Sequence, residues 1–232
     1  MSQPIPRSLV PLDATERTVS LFRREGSGEW PREAECVVDG KVIAIREYDE
    51  NDRLIRERPV NDKGRNHGLV LEWHENGQMQ LAEPYVDGVI HGTARQWHHD
   101  GSFLGTCTLD HGTGFDIWRD KREDGEVVIT EIHTLRRGQL HGFQWWFEED
   151  QTLYWERHFR EYQLHGIERE WNDHGRLRRD TPRYWIKDEK VNKRRYLRAA
   201  RGDDTLPPFR PEDQERDRVF PSEIRCLLDG GG

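Results

Sequence analysis

A short motif, Gly-x-x-His-Gly, returns along this chain of 232 residues. It reads GRNHG at 64–68, GVIHG at 88–92 and GQLHG at 138–142, with a near copy, YQLHG, at 162–166 and a degenerate HGTG at 111–114. The terminal glycines, Gly68, Gly92, Gly114, Gly142 and Gly166, are separated by steps of 24, 22, 28 and 24 residues. A period of this length marks a repeat architecture, in which each unit is too small to fold alone and buries its apolar side against its neighbours.

Each motif is followed by an aromatic residue, a short polar stretch and, in most copies, glycine. The copies are WHENG from Trp73, WHHDG from Trp97, FEEDQ from Phe147 and WNDHG from Trp171. YDEND from Tyr48 is a weaker, earlier copy, and WRDKREDG from Trp118 reads as the same element with a longer loop. Between these landmarks apolar residues alternate. Leu69, Leu71 and Trp73 share one side, matched by Phe143, Trp145 and Phe147 and by Ile167 and Trp171. After the turn, Met79, Leu81 and Tyr85 alternate again, as do Leu153, Trp155 and Phe159. Period-two patterning bounded by Gly, Asn and Asp predicts β-hairpins rather than helices.

Pairing Trp73 with Met79 leaves Glu75, Asn76 and Gly77 as a three-residue loop, whose last position favours a left-handed backbone and hence glycine. Gly77, Gly101 and Gly175 stand there, and Gln151 departs from the pattern. The same register pairs Trp97 with Phe103, Trp145 with Trp155, and Trp171 with Leu177. The last glycine of each Gly-x-x-His-Gly permits a turn or bulge between successive hairpins, and the histidine is placed to hydrogen-bond that turn. His67, Gly68, His91, Gly92, Gly114, His141, Gly142, His165 and Gly166 therefore read as architecture. So do the repeated aromatics Trp73, Trp97, Trp118, Phe147 and Trp171.

This spacing, with its Gly-x-x-His-Gly, aromatic and Asn-Gly-type turn, resembles the MORN (membrane occupation and recognition nexus) repeat. It resembles more closely the variant in bacterial YwqK-type proteins, a family often labelled as antitoxins, over roughly Gly40 to Trp185. The resemblance implies a mainly β fold: an antiparallel meander of repeated hairpins in a single-layer or curled sheet. It also implies another protein, such as a toxin, as the partner. Residues 34–186 form the expected repeat domain, and residues 1–33 an N-terminal arm or extra hairpin, with TVSLFRRE and REAECVV flanking a GSGEWP loop. Residues 187–232 carry a basic cap helix, VNKRRYLRAARG, with Asn192 as its cap and Gly202 as its stop. A Pro-rich tail follows and is expected to be extended or loosely attached.

Composition narrows the function. Only 33% of residues are hydrophobic against 34% charged, yet there are nine Trp, so a thin structure with few, large apolar residues is expected rather than disorder. The net charge of −8 argues against a general nucleic-acid or anionic-membrane binder. Cys36, Cys107 and Cys226 have no zinc-motif or disulfide-framework spacing and read as reduced thiols in a cytoplasmic protein. The N-terminus has no apolar run, so neither a signal peptide nor a membrane span is expected.

No nucleophile motif, Walker loop or dinucleotide fingerprint occurs, so neither catalysis nor a cofactor is expected. The repeated histidines stand about 10 Å apart in a regular ladder, too far to share a zinc ion unless adjacent copies lean together, and no metal site is assigned. His74 and His98, with Glu72, could form an acid–base pair on the polar face, which keeps an unrecognised hydrolase as one alternative. Trp146 breaks the binary pattern, because it points to the polar face, opposite Tyr154 in this register. An aromatic pair amid polar neighbours has the character of an interaction hot spot. Trp146 and Tyr154 are therefore the candidate protein-binding residues of a non-catalytic scaffold of the antitoxin or immunity type. The other alternative places Lys193, Arg194, Arg195 and Arg198 on the basic helix against nucleic acid.

Overall fold

The computed structural model describes residues 8–21, 32–216 and 220–228. The chain divides into two compact units, Met1–Gly112 and Thr113–Gly232. The first holds β1 (Thr15–Leu21), β2 (Arg32–Val38), β3 (Lys41–Tyr48), β4 (Leu54–Pro59), β5 (Gly68–Trp73), β6 (Met79–Val86), β7 (Val89–Ile90), β8 (Gly92–Trp97) and β9 (Phe103–Leu109). The second holds β10 (Gly114–Lys121), β11 (Val127–Arg136), β12 (Gln139–Phe147), β13 (Leu153–Arg160), β14 (Gln163–Leu164), β15 (Gly166–Glu170), β16 (Arg183–Ile186) and β17 (Glu189–Val191). It ends in α1 (Lys193–Ala199) and α2 (Ser222–Leu228). Each unit is one antiparallel sheet whose strands follow in sequence order, the expected hairpin meander. The N-terminal hairpin is present as β1 against β2, while its GSGEWP loop lies outside the described residues.

Two kinds of turn alternate along the meander. One is the three-residue loop after each aromatic: Gly77, Gly101, Gly125 and Gly175 close it with φ of 81°, 84°, 89° and 73°. The other has two residues, both at positive φ, as at Asp87-Gly88, Arg137-Gly138 and Lys187-Asp188. Such paired left-handed residues match the twist of the flanking strands.

The His-Gly pair lies just beyond the second turn, and its role is visible at four places. The carbonyls of Asn66, Ile90, Leu140 and Leu164, each just before the histidine, accept the amides of Gly88, Gly112, Tyr162 and Asp188 in the next turn at 2.6–3.0 Å. Histidine Nδ1 takes the adjacent amide: Asp87 N–H to His67 at 3.3 Å, His111 to His91 at 3.1 Å, and Lys187 to His165 at 3.3 Å. His141 is the exception, with a buried Nδ1 that has no partner. The glycine then allows close approach across the strand. A Cβ on Gly92 would lie 3.0 Å from Pro84, and one on Gly166 would lie 2.6 Å from His158 Cβ. At each pair two extra residues are absorbed; Ile90 faces Tyr85 and Arg95 faces Ala82, so 91–94 stand opposite Glu83 and Pro84. Proline is tolerated there because its missing N–H falls at a bulge.

A second, one-residue bulge corrects the sequence register. Trp73 faces Met79, Trp97 faces Phe103 and Trp171 bridges Leu177, as expected. One step further in, however, Glu72 faces Leu81, and Gln80 is left over. Leu71 therefore shares its face with Ala82 rather than with Leu81. The same slip puts Trp155 opposite Trp146 and Glu156 opposite Trp145, overturning the expected pairings of Trp145 with Trp155 and of Trp146 with Tyr154. Tyr154 is the residue left over. Period-two reasoning fails here because a bulge moves every following side chain to the other face.

Trp118 is also reassigned. Its loop is no longer than the others, since Arg122 and Glu126 close the same three-residue turn at Gly125. Counting back from that glycine puts Lys121 at the aromatic position, and Trp118, three residues earlier, falls on the opposite face. Gln151 keeps its turn, at φ 66°, and gains a function there. Its side chain accepts the Ile129 amide at 3.1 Å and donates to the Ile129 carbonyl at 2.8 Å.

In the second unit, the apolar face is covered by the chain's own C-terminal segment. Asn192 caps α1 by accepting the Arg195 amide at 2.9 Å. Tyr196, fully buried, packs with Ile167, Tyr184, Val191 and Leu206. The tail is docked rather than loose. Tyr196 donates to the Pro207 carbonyl at 2.5 Å, Trp171 Nε1 donates to that of Gln214 at 2.8 Å, and Phe220 lies 5.4 Å from the Trp145 ring. In the first unit the N-terminal arm is tied down by buried Glu57, which accepts Ser8 Oγ and the Leu9 amide, each at 2.8 Å.

Three substitutions check these assignments. Gly166→Ala forces a Cβ against His158 and is expected to lower stability by about 2–3 kcal/mol. Gly64→Ala, at an open left-handed position, costs about 1–2 kcal/mol. Urea denaturation compares the two. Gln151→Gly supplies the glycine that turn chemistry prefers, yet it is expected to destabilise by about 1 kcal/mol, because the Ile129 amide and carbonyl lose their partner. Faster hydrogen exchange at Ile129 reports the same loss.

Candidate interaction surfaces

Directly paired residues in antiparallel strands share a face. In the second unit one such line runs Trp118, Glu131, Trp146, Trp155, Glu170, and a second runs Asp116, His133, Gln144, Arg157. Glu168 continues the surface opposite Arg183. Phe220 packs on Trp145 and Phe147, so this line of residues occupies the face away from that contact.

The side chains on this face are mutually fixed. The Trp146 and Trp155 rings lie 4.7 Å apart, and the Arg157 guanidinium sits 3.6 Å above Trp155. Glu168, nearly fully buried, holds that group from below. It accepts Arg157 Nε at 3.2 Å, Trp155 Nε1 at 3.3 Å, Arg183 at 3.2 Å and Trp185 Nε1 at 2.9 Å. On the other flank His133 lies 5.5 Å from the Trp146 ring, between the Gln144 and Glu131 side-chain oxygens at 2.9 Å each. Burial opposes the charge on His133, but its hydrogen bond to Glu131 and that carboxylate's charge raise its pKa overall. The result is a half-buried tryptophan pair framed by ions. Of the two residues expected to form this surface, Trp146 is at its centre, whereas Tyr154 is the bulge residue beside it. Trp155 was missed by sequence reasoning, since the signal that reveals it is the bulge that follows a three-residue turn.

Glu72, His74 and His98 each bond to another group. His74 Nε2 donates to the Trp97 carbonyl at 3.0 Å, His98 pairs with Asp100 at 3.0 Å, and Glu72 is bound to Arg56 at 2.8 Å. Glu72 and His74 do line an open concavity of 700 Å³ with Arg56 and His99. Among the described residues one group could bring metal-ligating atoms within 4.8 Å of one another: His91, Asp110 and His111. Here adjacent copies do lean together, with rings stacked at 4.0 Å and 8°. His91 Nδ1 is already occupied by the His111 amide, and parallel rings aim their lone pairs side by side rather than at one point.

Of the basic residues, Lys193, Arg194 and Arg198 line a concavity of 560 Å³ together with Leu197 and Arg201. Arg195 does not join them; it is forked onto Glu189 at 2.5 and 2.7 Å. Cys36 and Cys107 are buried and Cys226 is exposed, and none of the three is in a disulfide. Among the described residues no helix is long and apolar enough to cross a membrane. No family model matches the chain, and no curated protein matches it significantly.

The buried histidines of the second unit predict a pH dependence. Burial pushes His158 down to about 4, where Nδ1 donates to the His165 carbonyl at 2.6 Å. Burial also lowers His165. The unfolded chain takes up these protons near pH 6.5. The stabilisation is therefore complete above pH 6.5 and is lost as pH falls through 4, by about 3 kcal/mol for His158. Urea midpoints measured from pH 7.5 to 4 should fall accordingly, and His158→Gln should flatten the curve.

Proposed function

We propose that this chain is a non-catalytic repeat scaffold whose second unit captures another protein through the face centred on Trp146 and Trp155. The observation that carries the reading is the fixed tryptophan pair on an otherwise ionic surface. Its rings are held by Arg157 and Glu168 before any partner arrives, so little side-chain freedom is lost on binding. Tryptophan and arginine at the centre of a polar rim are the residue types that dominate binding energy. Glu72, His74 and His98 direct their bonds to other groups, which favours recognition over hydrolysis. The resemblance to YwqK-type repeats supports a toxin or similar effector as the captured protein. Cys36 and Cys107, buried and not in a disulfide, suit a reducing compartment such as the cytoplasm.

Affinity purification with the wild-type chain, read by mass spectrometry, should recover a partner. The double variant Trp146→Ala, Trp155→Ala should bind that partner at least about 30-fold more weakly, the loss expected for a hot spot of 2 kcal/mol. Its circular dichroism should remain that of the wild type. Unchanged affinity in a folded double variant would remove this face from the reading.

A further inference from the structure

The two outer faces of the second unit treat their arginines differently. On the sheet, Arg157, Arg178 and Arg183 are each paired with a carboxylate. On α1 and the turn after it, Arg194, Arg198 and Arg201 are exposed, and among the described residues no carboxylate pairs with them. The helix puts Arg194 and Arg198, four apart, on one face, and the turn brings Arg201 to the same concavity. Lys193 joins the cluster, its ammonium held 3.6 Å above the Phe209 ring by the docked tail. The four cations surround the 560 Å³ concavity, with Leu197 at its apolar base. A chain of net charge −8 thus gathers uncompensated positive charge at one place. Like charges this close repel one another, and an anionic ligand relieves that repulsion.

From this cluster we infer that the outer face of α1 is a binding site for the phosphate backbone of a nucleic acid. Charge spacing decides against an acidic peptide. Arg194 and Arg198 are four residues apart, about 6 Å along a helix rising 1.5 Å per residue. A single nucleic-acid strand advances about 3.4 Å per phosphate, so roughly two phosphates cover that span. An extended peptide offers same-side carboxylates only about every 6.6 Å, so about one covers it. Arginine forks also match the oxygens of a phosphodiester in pairs. Among the described residues no aromatic ring lines the concavity, so it offers bases no stacking platform. Arg195, turned onto Glu189, stands outside it.

Fluorescence anisotropy with a labelled 16-base-pair duplex, using the full chain, tests this. Four neutralised phosphates give a log–log salt slope near about −3.6, so affinity should fall about 100-fold between 50 and 200 mM salt. The variant Arg194→Glu, Arg198→Glu, Arg201→Glu should bind at least about tenfold more weakly at 50 mM, while Arg195→Glu should stay within about threefold of wild type. Absence of duplex binding at 50 mM salt by the wild-type chain would overturn the inference. So would equal loss in Arg195→Glu, or displacement of the duplex by polyglutamate as readily as by polyphosphate at equal charge.

Discussion

The structure depends on a close backbone approach at each His-Gly pair. Where Gly92 passes Pro84 and Gly166 passes His158, a side chain on the glycine would collide with the neighbouring strand. Because glycine leaves that space open, the strand can take in two extra residues and continue the ladder. The histidine then works with the carbonyl before it to bind the next turn. His67, His91 and His165 do so through Nδ1, which requires that nitrogen to be unprotonated and gives the motif its second fixed residue. A glycine that permits contact and a histidine that secures it explain why these two residues recur as a pair while their neighbours change.

Much of this is legible in the amino-acid sequence. The period, the hairpins, the three-residue turns and the Asn192 cap all follow from local chemistry: glycine at left-handed positions, alternation in strands, an amide side chain at a helix start. The bulges were not legible. Gln80 and Tyr154 look like ordinary strand residues, and nothing in their identity says that they stand unpaired. One unnoticed bulge was enough to put Trp155 on the wrong face and to hide its pairing with Trp146. The docking of the tail was missed for a related reason. Its charge and proline content suggest a solvated segment, whereas Leu206, Phe209 and Phe220 supply the few apolar contacts that attach it. The candidate surface was therefore half readable: Trp146 from its break in pattern, Trp155 only from the register.

The two faces of the second sheet have separate duties. On one, Trp145, Trp171, Ile167 and Tyr184 meet the cap helix and tail, and the sheet is completed by its own chain. On the other, Glu168 sits beneath two arginines and two tryptophans and holds all four at fixed positions. Breaking a buried carboxylate of this kind leaves its cations uncompensated, so the ionic frame and the tryptophan pair stand or fall together. The polar face is thus held by its own hydrogen bonds and ion pairs, although it encloses no core.

Strand order in each sheet follows the order of synthesis, and every staple joins one hairpin only to the next. A chain leaving the ribosome would find each docking edge already complete behind it, and no segment would need to wait for a distant one. Assembly of the ladder can therefore proceed rung by rung from the amino end. The exceptions are the arm at Ser8 and Leu9, which waits for Glu57, and the final cover of the second sheet, which is made last and closes over strands that have waited for it with their aromatic side chains exposed.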